Sequence, residues 1–395
     1  MKTKRHFLAE RLTGRHSALW VSGLAIVLTL ITAGILLLLM KKNPAVAFYS
    51  FLQGCGLAPK AKYGGGNGML SDLSDFLNYL SPMILSSLAF IFAFKAGLFN
   101  IGIAGQMLLS GFLATVLVGY NKDLPAAAAK PLVLLIGIST GALLGALIGF
   151  LKYRFNIHEV VSTIMINYII SYLTGFFINN YFVDMMTRTS RICSPNARLT
   201  LTNVQIGGVS CKVPFGILIA VFMALLVQFL FDKTTFGFEL KAVGLNPRCA
   251  QYFGVGVGRS IIASMALSGM LAGLAGVTYY LGYTNTIIPK TLASMGYDSI
   301  SVALLGNASP TGSILAAFIV SIFQQGANYM SSMVGVAKEI ASLITGILLL
   351  YASCGTYMKT RAHYVLQKEA DRAASENRAG HRPEEASGRG KEDEA

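Results

Sequence analysis

The stretch Glu239-Leu-Lys-Ala-Val-Gly-Leu-Asn-Pro-Arg-Cys-Ala-Gln-Tyr-Phe-Gly254 lies between two long apolar runs, 214–231 and 260–281. Its second half spells a miniature helix with both ends marked. Asn246 is a strong N-cap, and Pro247 suits the first helical position, where a missing N–H costs nothing. Gly254 can take the left-handed conformation that stops a helix. The rod so defined is about 10 Å long, too short to cross a bilayer. A short capped helix between two membrane spans suits a part that another protein grips.

Working outward, composition sets the class. Hydrophobic residues make up 54% of the chain and mean hydropathy is +0.58, beyond the range of a soluble domain. Apolar runs recur along most of the length: 19–40, 79–96, 101–120, 131–151, 160–182, 214–231 and 260–281. The first is long enough to span about 30 Å of hydrocarbon, and it lacks a small-residue cleavage site before Lys41-Lys42, so it reads as a retained span. Further on, 292–305 is short, 312–327 is interrupted by glycine, and 336–352 carries the pair Lys338-Glu339.

The fold class expected is therefore an all-α polytopic membrane protein, since only helices satisfy every backbone group in single-chain spans of this length. Basic residues in the arm 1–18 favour a cytoplasmic N-terminus, and the charged segment 359–395 should not cross either. An even number of spans follows, about ten, with both termini cytoplasmic and 292–305 a short or broken crossing. This gives a basic N-terminal arm (1–18), a transmembrane domain (19–358) and a solvated, disordered tail (359–395). Outer segments fall at 41–78 and 183–213, and a cytoplasmic one at 232–259. The basic residues of inner and outer segments nearly balance, so loop charge alone does not orient the chain. The net charge of +14 is spread over loops and tails, where phospholipid headgroups rather than nucleic acid are the counter-charge.

What is missing narrows the function. No buried carboxylate or histidine relay of the kind a proton-coupled pump carries is evident. Four of the five histidines lie in the arm and tail, so no metal cluster or histidine-based catalytic constellation can be assembled. No phosphate-binding loop is present either. A chain of this kind cannot hydrolyse ATP, and any ATP-driven work requires a separate subunit.

Three more segments carry the remaining information. They read Phe94-Lys-Ala-Gly-Leu-Phe-Asn100-Ile-Gly102-Ile-Ala-Gly105-Gln106, then His158-Glu-Val-Val-Ser-Thr-Ile-Met-Ile-Asn167-Tyr168, and Gly296-Tyr-Asp298-Ser-Ile-Ser-Val-Ala-Leu-Leu-Gly306-Asn307-Ala-Ser-Pro310. Together with 239–254 they resemble, in order, the permeases of ATP-binding-cassette importers in the branch that serves simple sugars and nucleosides. The second is similar to one of the two paired permeases of bacterial nucleoside importers, with His158 where that subfamily has Asn. Ala104 stands where the family has Glu, so any role of that acid does not carry over. The matches run from about residue 82 to residue 352.

The resemblance implies a bacterial inner-membrane, multi-pass permease that imports a neutral polar solute, nucleosides first and simple sugars as the alternative. It implies three partners: a second related permease, a cytoplasmic ATPase holding ATP and Mg, and a lipid-anchored binding protein outside. This chain itself would bind no cofactor. Glu239, Ala242, Gly244, Asn246, Ala250 and Gly254 align with the ATPase-coupling segment. From another class, a secondary transporter or channel without an ATPase fits the hydropathy but not the capped helix.

Asn100, Gln106, Asn167, Tyr168 and Asn307 are the candidates for lining a path. Amides in apolar helices must meet partners, and two readings stand: interhelical glue, or a polar lining. The spans offer no Arg or Lys for a phosphorylated or strongly acidic solute. Cys193 and Cys211 share the outer segment 183–213, on the oxidising side, and are a candidate disulfide.

Overall fold

The computed structural model describes residues 17–59, 68–206, 209–335, 338–355, 357–358 and 360–368. Helix α1 (Ser17–Leu39) is followed at once by α2 (Pro44–Gly54), whose start is written like that of the miniature helix: Asn43 Oδ1 accepts from Ala45 N at 2.9 Å and Pro44 opens the first turn. The segment 41–78, expected to be an outer loop, is thus mostly helical, because α3 (Gly68–Lys95) also begins inside it. Polar residues such as Asp72 and Asp75 disguise that extension of the span in the sequence.

The middle of α3 is apolar on every side, and a helix of that kind belongs in a protein interior. Residues from Met83 through Ala93 are buried, and Ser86 and Ser87 turn their hydroxyls back to the carbonyls of Met83 and Ile84. Around this pillar stand α4 (Ile103–Ala114), α5 (Ala126–Phe155), α6 (Glu159–Phe177), α7 (Phe215–Lys233), α10 (Val257–Thr278), α11 (Met295–Leu305), α12 (Pro310–Val334) and α13 (Lys338–Ser353). The short helices α8 (Thr235–Leu245) and α9 (Pro247–Tyr252) lie between α7 and α10.

The outer helices show the opposite pattern to α3, with one face inward and one left apolar and exposed. In α5 the inward face is Gly137, Gly141, Gly145 and Gly149, and its outward face includes Leu135, Leu143 and Phe150. The glycines meet Gly269 and Gly273 of α10 so closely that a Cβ on Gly141 would strike the Gly269 carbonyl. Dispersion between touching backbones, rather than hydrophobic transfer, holds such crossings in lipid.

Five helices among the described residues are long and apolar enough to cross a membrane: Met69–Lys95, Ala126–Phe155, Glu159–Phe182, Phe215–Lys233 and Val257–Tyr283. Shorter apolar helices are Gly23–Leu39, Ile103–Gly119 and Met295–Leu305. Three helices of the bundle end in π-helical turns, at Thr115–Gly119, Ile178–Phe182 and Tyr279–Tyr283.

One departure from an all-helical chain is the hairpin β1 (Thr200–Ile206) with β2 (Val209–Pro214), antiparallel. Alternating residues on either side of Gly207-Gly208 announce it. Open strand edges are excluded only from hydrocarbon. The segment around it is stitched to the spans through the backbone: Ser190 N donates to Ile287 O at 2.9 Å and Ser194 N to Gly119 O at 2.7 Å.

Cys193 is a free, buried thiol 3.8 Å from the Thr115 hydroxyl, so the expected bridge to Cys211 is not formed; the Cys211 side chain lies outside the described residues. Of the tail expected to be disordered, 360–368 is helical and 369–395 lies outside the described residues.

Candidate functional site

The coupling segment is more structured than its sequence indicates. Asn246 caps α9 as expected, its Oδ1 accepting from Arg248 N at 3.0 Å and Cys249 N at 3.2 Å, and Gly254 adopts φ +81°. What the sequence did not show is α8, which takes in Glu239–Leu245 and starts at the Thr234 cap. It is bound to its own chain at two points. Lys241 Nζ donates to the Phe231 carbonyl at 2.7 Å and pairs with Asp232 at 3.3 Å, closing the end of α7. Gly244 lies flat on the turn after α3, where a Cβ would strike the Lys95 carbonyl; opposite it Gly97 has φ +74°.

The six residues expected to face an ATPase therefore divide. Asn246 and Gly254 are exposed, and Glu239, Ala242 and Gly244 are half-buried. Ala250 is only 3% exposed, packed within this chain. The surface belongs instead to Phe238, Leu245, Tyr252 and Phe253, the last two 93% and 88% exposed. Large apolar side chains left in the open on short polar-flanked helices mark an interaction surface. Their signal was in the sequence, since Tyr252-Phe253 is an aromatic pair just where the miniature helix ends.

The broken stretch between α3 and α4 gathers three of the five candidate path residues. Asn100 Oδ1 accepts from Gly102 N at 3.0 Å, while its Nδ2 donates to Gln106 Oε1 at 3.2 Å and Ser268 Oγ at 2.8 Å. Ser268 Oγ passes on to Ala89 O at 2.6 Å. From α6, Asn167 Oδ1 accepts from Gly105 N at 2.9 Å and its Nδ2 donates to Ile101 O at 3.1 Å. All three amides are buried: Asn100 is bonded to Gln106, Ser268 and the freed backbone, and Asn167 to backbone, while Gln106 Nε2 has no protein partner. Tyr168 and Asn307 stand apart. Tyr168 is 58% exposed on the outer face of α6, and Asn307 is exposed in the left-handed turn between α11 and α12.

A cavity of about 640 Å³ opens at the other end of the bundle. Its wall includes Asp72, Asp75 and Asn78 of α3, Arg198 ahead of β1, Tyr283 and Asn285 after α10, and Gln325, Asn328 and Tyr329 of α12. Twenty-three residues separate Asp72 from Lys95, so the cavity and the α8 contact lie about 35 Å apart along α3. Gln325 Nε2 donates to the Tyr283 hydroxyl at 2.7 Å. Tyr79 meets the Tyr283 ring edge-on at 5.3 Å between centroids, and Tyr279 lies at 5.9 Å. Beside them Gln324 Nε2 donates to Asp298 Oδ2 at 3.3 Å. Sequence reading passed over this set. Its signal is Gln324-Gln325-Gly-Ala-Asn328, three amides in five residues of an otherwise apolar helix. Among the described residues no group of His, Cys, Asp and Glu is placed to hold a metal ion.

Spans packed through glycine, a capped projection at one end and a polar cavity at the other define a multi-pass membrane transport subunit. Residues 73–353 match the family of branched-chain amino acid transport system permease components, and the chain belongs to it. It is similar to the guanosine ABC transporter permease protein NupP of Bacillus subtilis, 36% identical over 340 residues, covering 86% of this chain and 94% of that protein. It is similar to the nucleoside ABC transporter permease protein NupB of Lactococcus lactis, 34% identical over 291 residues, 72% of this chain and 79% of the relative. A glucose ABC transporter permease protein of Haloferax volcanii is 26% identical over 294 residues, 73% of this chain and 77% of that one. No solved structure matches the chain. As a permease component it is a transport subunit and not an enzyme.

Proposed function

We propose that this chain is one of two related permease subunits of an ATP-driven importer of nucleosides in a bacterial inner membrane. About ten spans, α11 among them as a short crossing, put both termini and the α8–α9 segment in the cytoplasm. A separate ATPase, carrying ATP and Mg, docks on α8 and α9, and a lipid-anchored binding protein delivers solute on the cavity side. The observation that carries the ATPase assignment is the pair Tyr252 and Phe253, almost fully exposed at the end of the capped helix α9, which follows directly on α8, itself anchored to the ends of α3 and α7. Rigid anchoring beneath an exposed aromatic surface is what a transmitting contact requires.

The choice of nucleoside rests on the relatives named for guanosine and nucleosides, which exceed the glucose relative in identity. The wall of the cavity adds to it: amides, hydroxyls and tyrosine rings, together with Asp72, Asp75 and Arg198, offer many hydrogen-bonding groups to a polar solute. A simple sugar is the second reading, supported by the glucose relative. Purification from native membrane tests the class: an ATPase and a lipoprotein should accompany the chain, and a ligand screen on that lipoprotein should return nucleosides. A chain that moves solute with no ATPase attached would instead be a secondary transporter or channel.

A further inference from the structure

The cavity at the outer end of α3 holds two kinds of recognition group on neighbouring elements. Tyr283 offers an aromatic ring, steadied from below by the edge of Tyr79. Gln325 offers a primary amide, which presents a donor and an acceptor side by side. The two are tied by a single hydrogen bond of 2.7 Å from Gln325 Nε2 to the Tyr283 hydroxyl, which leaves Gln325 Oε1 and the other Nε2 hydrogen for a solute. Around them Asn285, whose buried Oδ1 has no protein partner, and Asn328 supply more amides, and Asp72, Asp75 and Arg198 also line the wall. A volume of about 640 Å³ is in the range of small-molecule sites, which run from about 300 to 1,000 Å³.

Resting on the nucleoside reading above, we infer that this cavity is a solute-binding station of the permease itself. The base stacks on Tyr283, and its hydrogen-bonding edge is read by Gln325. A side-chain amide pairs in two-point fashion with an adjacent donor and acceptor on a purine edge. A simple sugar has no planar base edge with adjacent donor and acceptor for Gln325 to read. The amides Asn285 and Asn328 take the ribose hydroxyls. The buried cluster around Asn100 lies outside this cavity's wall; Asn100 and Asn167 are bonded within the chain, while Gln106 Nε2 is left without a protein partner. Tyr283 and Gln325 are thus specificity residues.

The test uses the assembled importer in proteoliposomes, with ATP inside and binding protein outside. In the wild type, photolabelling with 8-azidoguanosine should mark peptides containing 279–285 or 325–332. Labelling confined to 100–106 or to α6 would overturn the site. Gln325→Leu should raise the KM for guanosine about tenfold with maximal rate little changed, and should flatten the preference for purine over pyrimidine nucleosides. Tyr283→Phe keeps the ring and should be mild, while Tyr283→Leu should weaken every nucleoside. Loss of maximal rate with unchanged KM in both Gln325→Leu and Tyr283→Leu would mean a structural role and overturn the inference. If the wild-type importer moves a sugar and no nucleoside, the nucleoside reading fails on its own. If it moves nucleosides while labelling and KM ignore the cavity, the binding station fails and the function stands.

Discussion

Two polar clusters interrupt the apolar bundle, and they differ in what they leave over. Around Asn100 each amide has been turned toward another amide, a serine or a backbone group exposed by the break after α3. Around Tyr283 and Gln325 comparable groups, joined by the bond from Gln325 to the Tyr283 hydroxyl, line a cavity. The first cluster closes a gap in secondary structure, and the second is open to a ligand. A polar residue in a membrane helix is therefore not in itself a sign of a path. What separates the two cases is whether the polar groups are sealed among packed helices or line an open cavity.

The largest effect expected from that contrast is on stability, at Asn100. Asn100→Leu removes the acceptor of Gly102 N and the donor to Gln106 and Ser268 in a fully buried place. Each stranded buried group costs about 1–3 kcal/mol, and a total of about 3 kcal/mol follows if Ser268 keeps its bond to Ala89. Thermal unfolding in detergent should show a markedly lower midpoint, whereas Gln325→Leu should unfold near the wild type. Equal melting of the two would erase the distinction between the clusters.

The second effect is on assembly. Ala250, expected from its sequence to face an ATPase, is packed inside this chain, so Ala250→Trp would disturb α9 itself rather than report on a contact. The informative change is Tyr252→Ala with Phe253→Ala. Exposed aromatics that become buried at an interface can each account for about 2 kcal/mol of binding. The double variant should insert and melt normally but release the ATPase during purification. Retention of ATPase with normal uptake would remove the aromatic pair from the contact.

How much of this was legible follows the same physics. Capping is local, so Asn246, Pro247 and Gly254 could be read directly, and the glycines of the apolar runs foretold close helix approach. The start of α3 within 41–78 was not legible because charge on a span's terminal turn looks like loop, whereas α2 has no charge and carries the same Asn-Pro signal as the miniature helix. The cavity was not legible because Asn78, Tyr283 and Gln325 come from three distant segments, and only packing reveals that they share one wall. Ala250 and Tyr252 illustrate the remaining limit: two positions in a six-residue helix face opposite ways, and nothing local says which face the bundle takes.

A smaller effect is expected at the cap. Asn246→Ala loses two bonds to Arg248 N and Cys249 N, worth about 1 kcal/mol. Docking of the ATPase can restore part of that, so co-purification should fall only slightly and uptake should follow it. A defect as large as that of the Tyr252 and Phe253 double variant would place Asn246 itself in the contact.

The smallest effect belongs to Tyr168, and it sharpens the comparison most cleanly. It neighbours Asn167 in sequence, but the helix turns it to the outer face of α6, where more than half of it is exposed. Substitutions on such a face usually stay within about 0.5 kcal/mol. Tyr168→Leu keeps an apolar side chain suited to lipid, so melting, guanosine KM and maximal rate should all match the wild type. A raised KM would carry the path to the outside of α6 and away from Gln325. A weakened association with the second permease, at unchanged KM, would instead identify this face as the seam between the two subunits. Neither result could come from the buried side of the helix, where Asn167 is already bonded to Gly105 and Ile101. Adjacent residues, one tied inward and one free outward, thus test whether membership in a motif or placement in the fold decides what a side chain does.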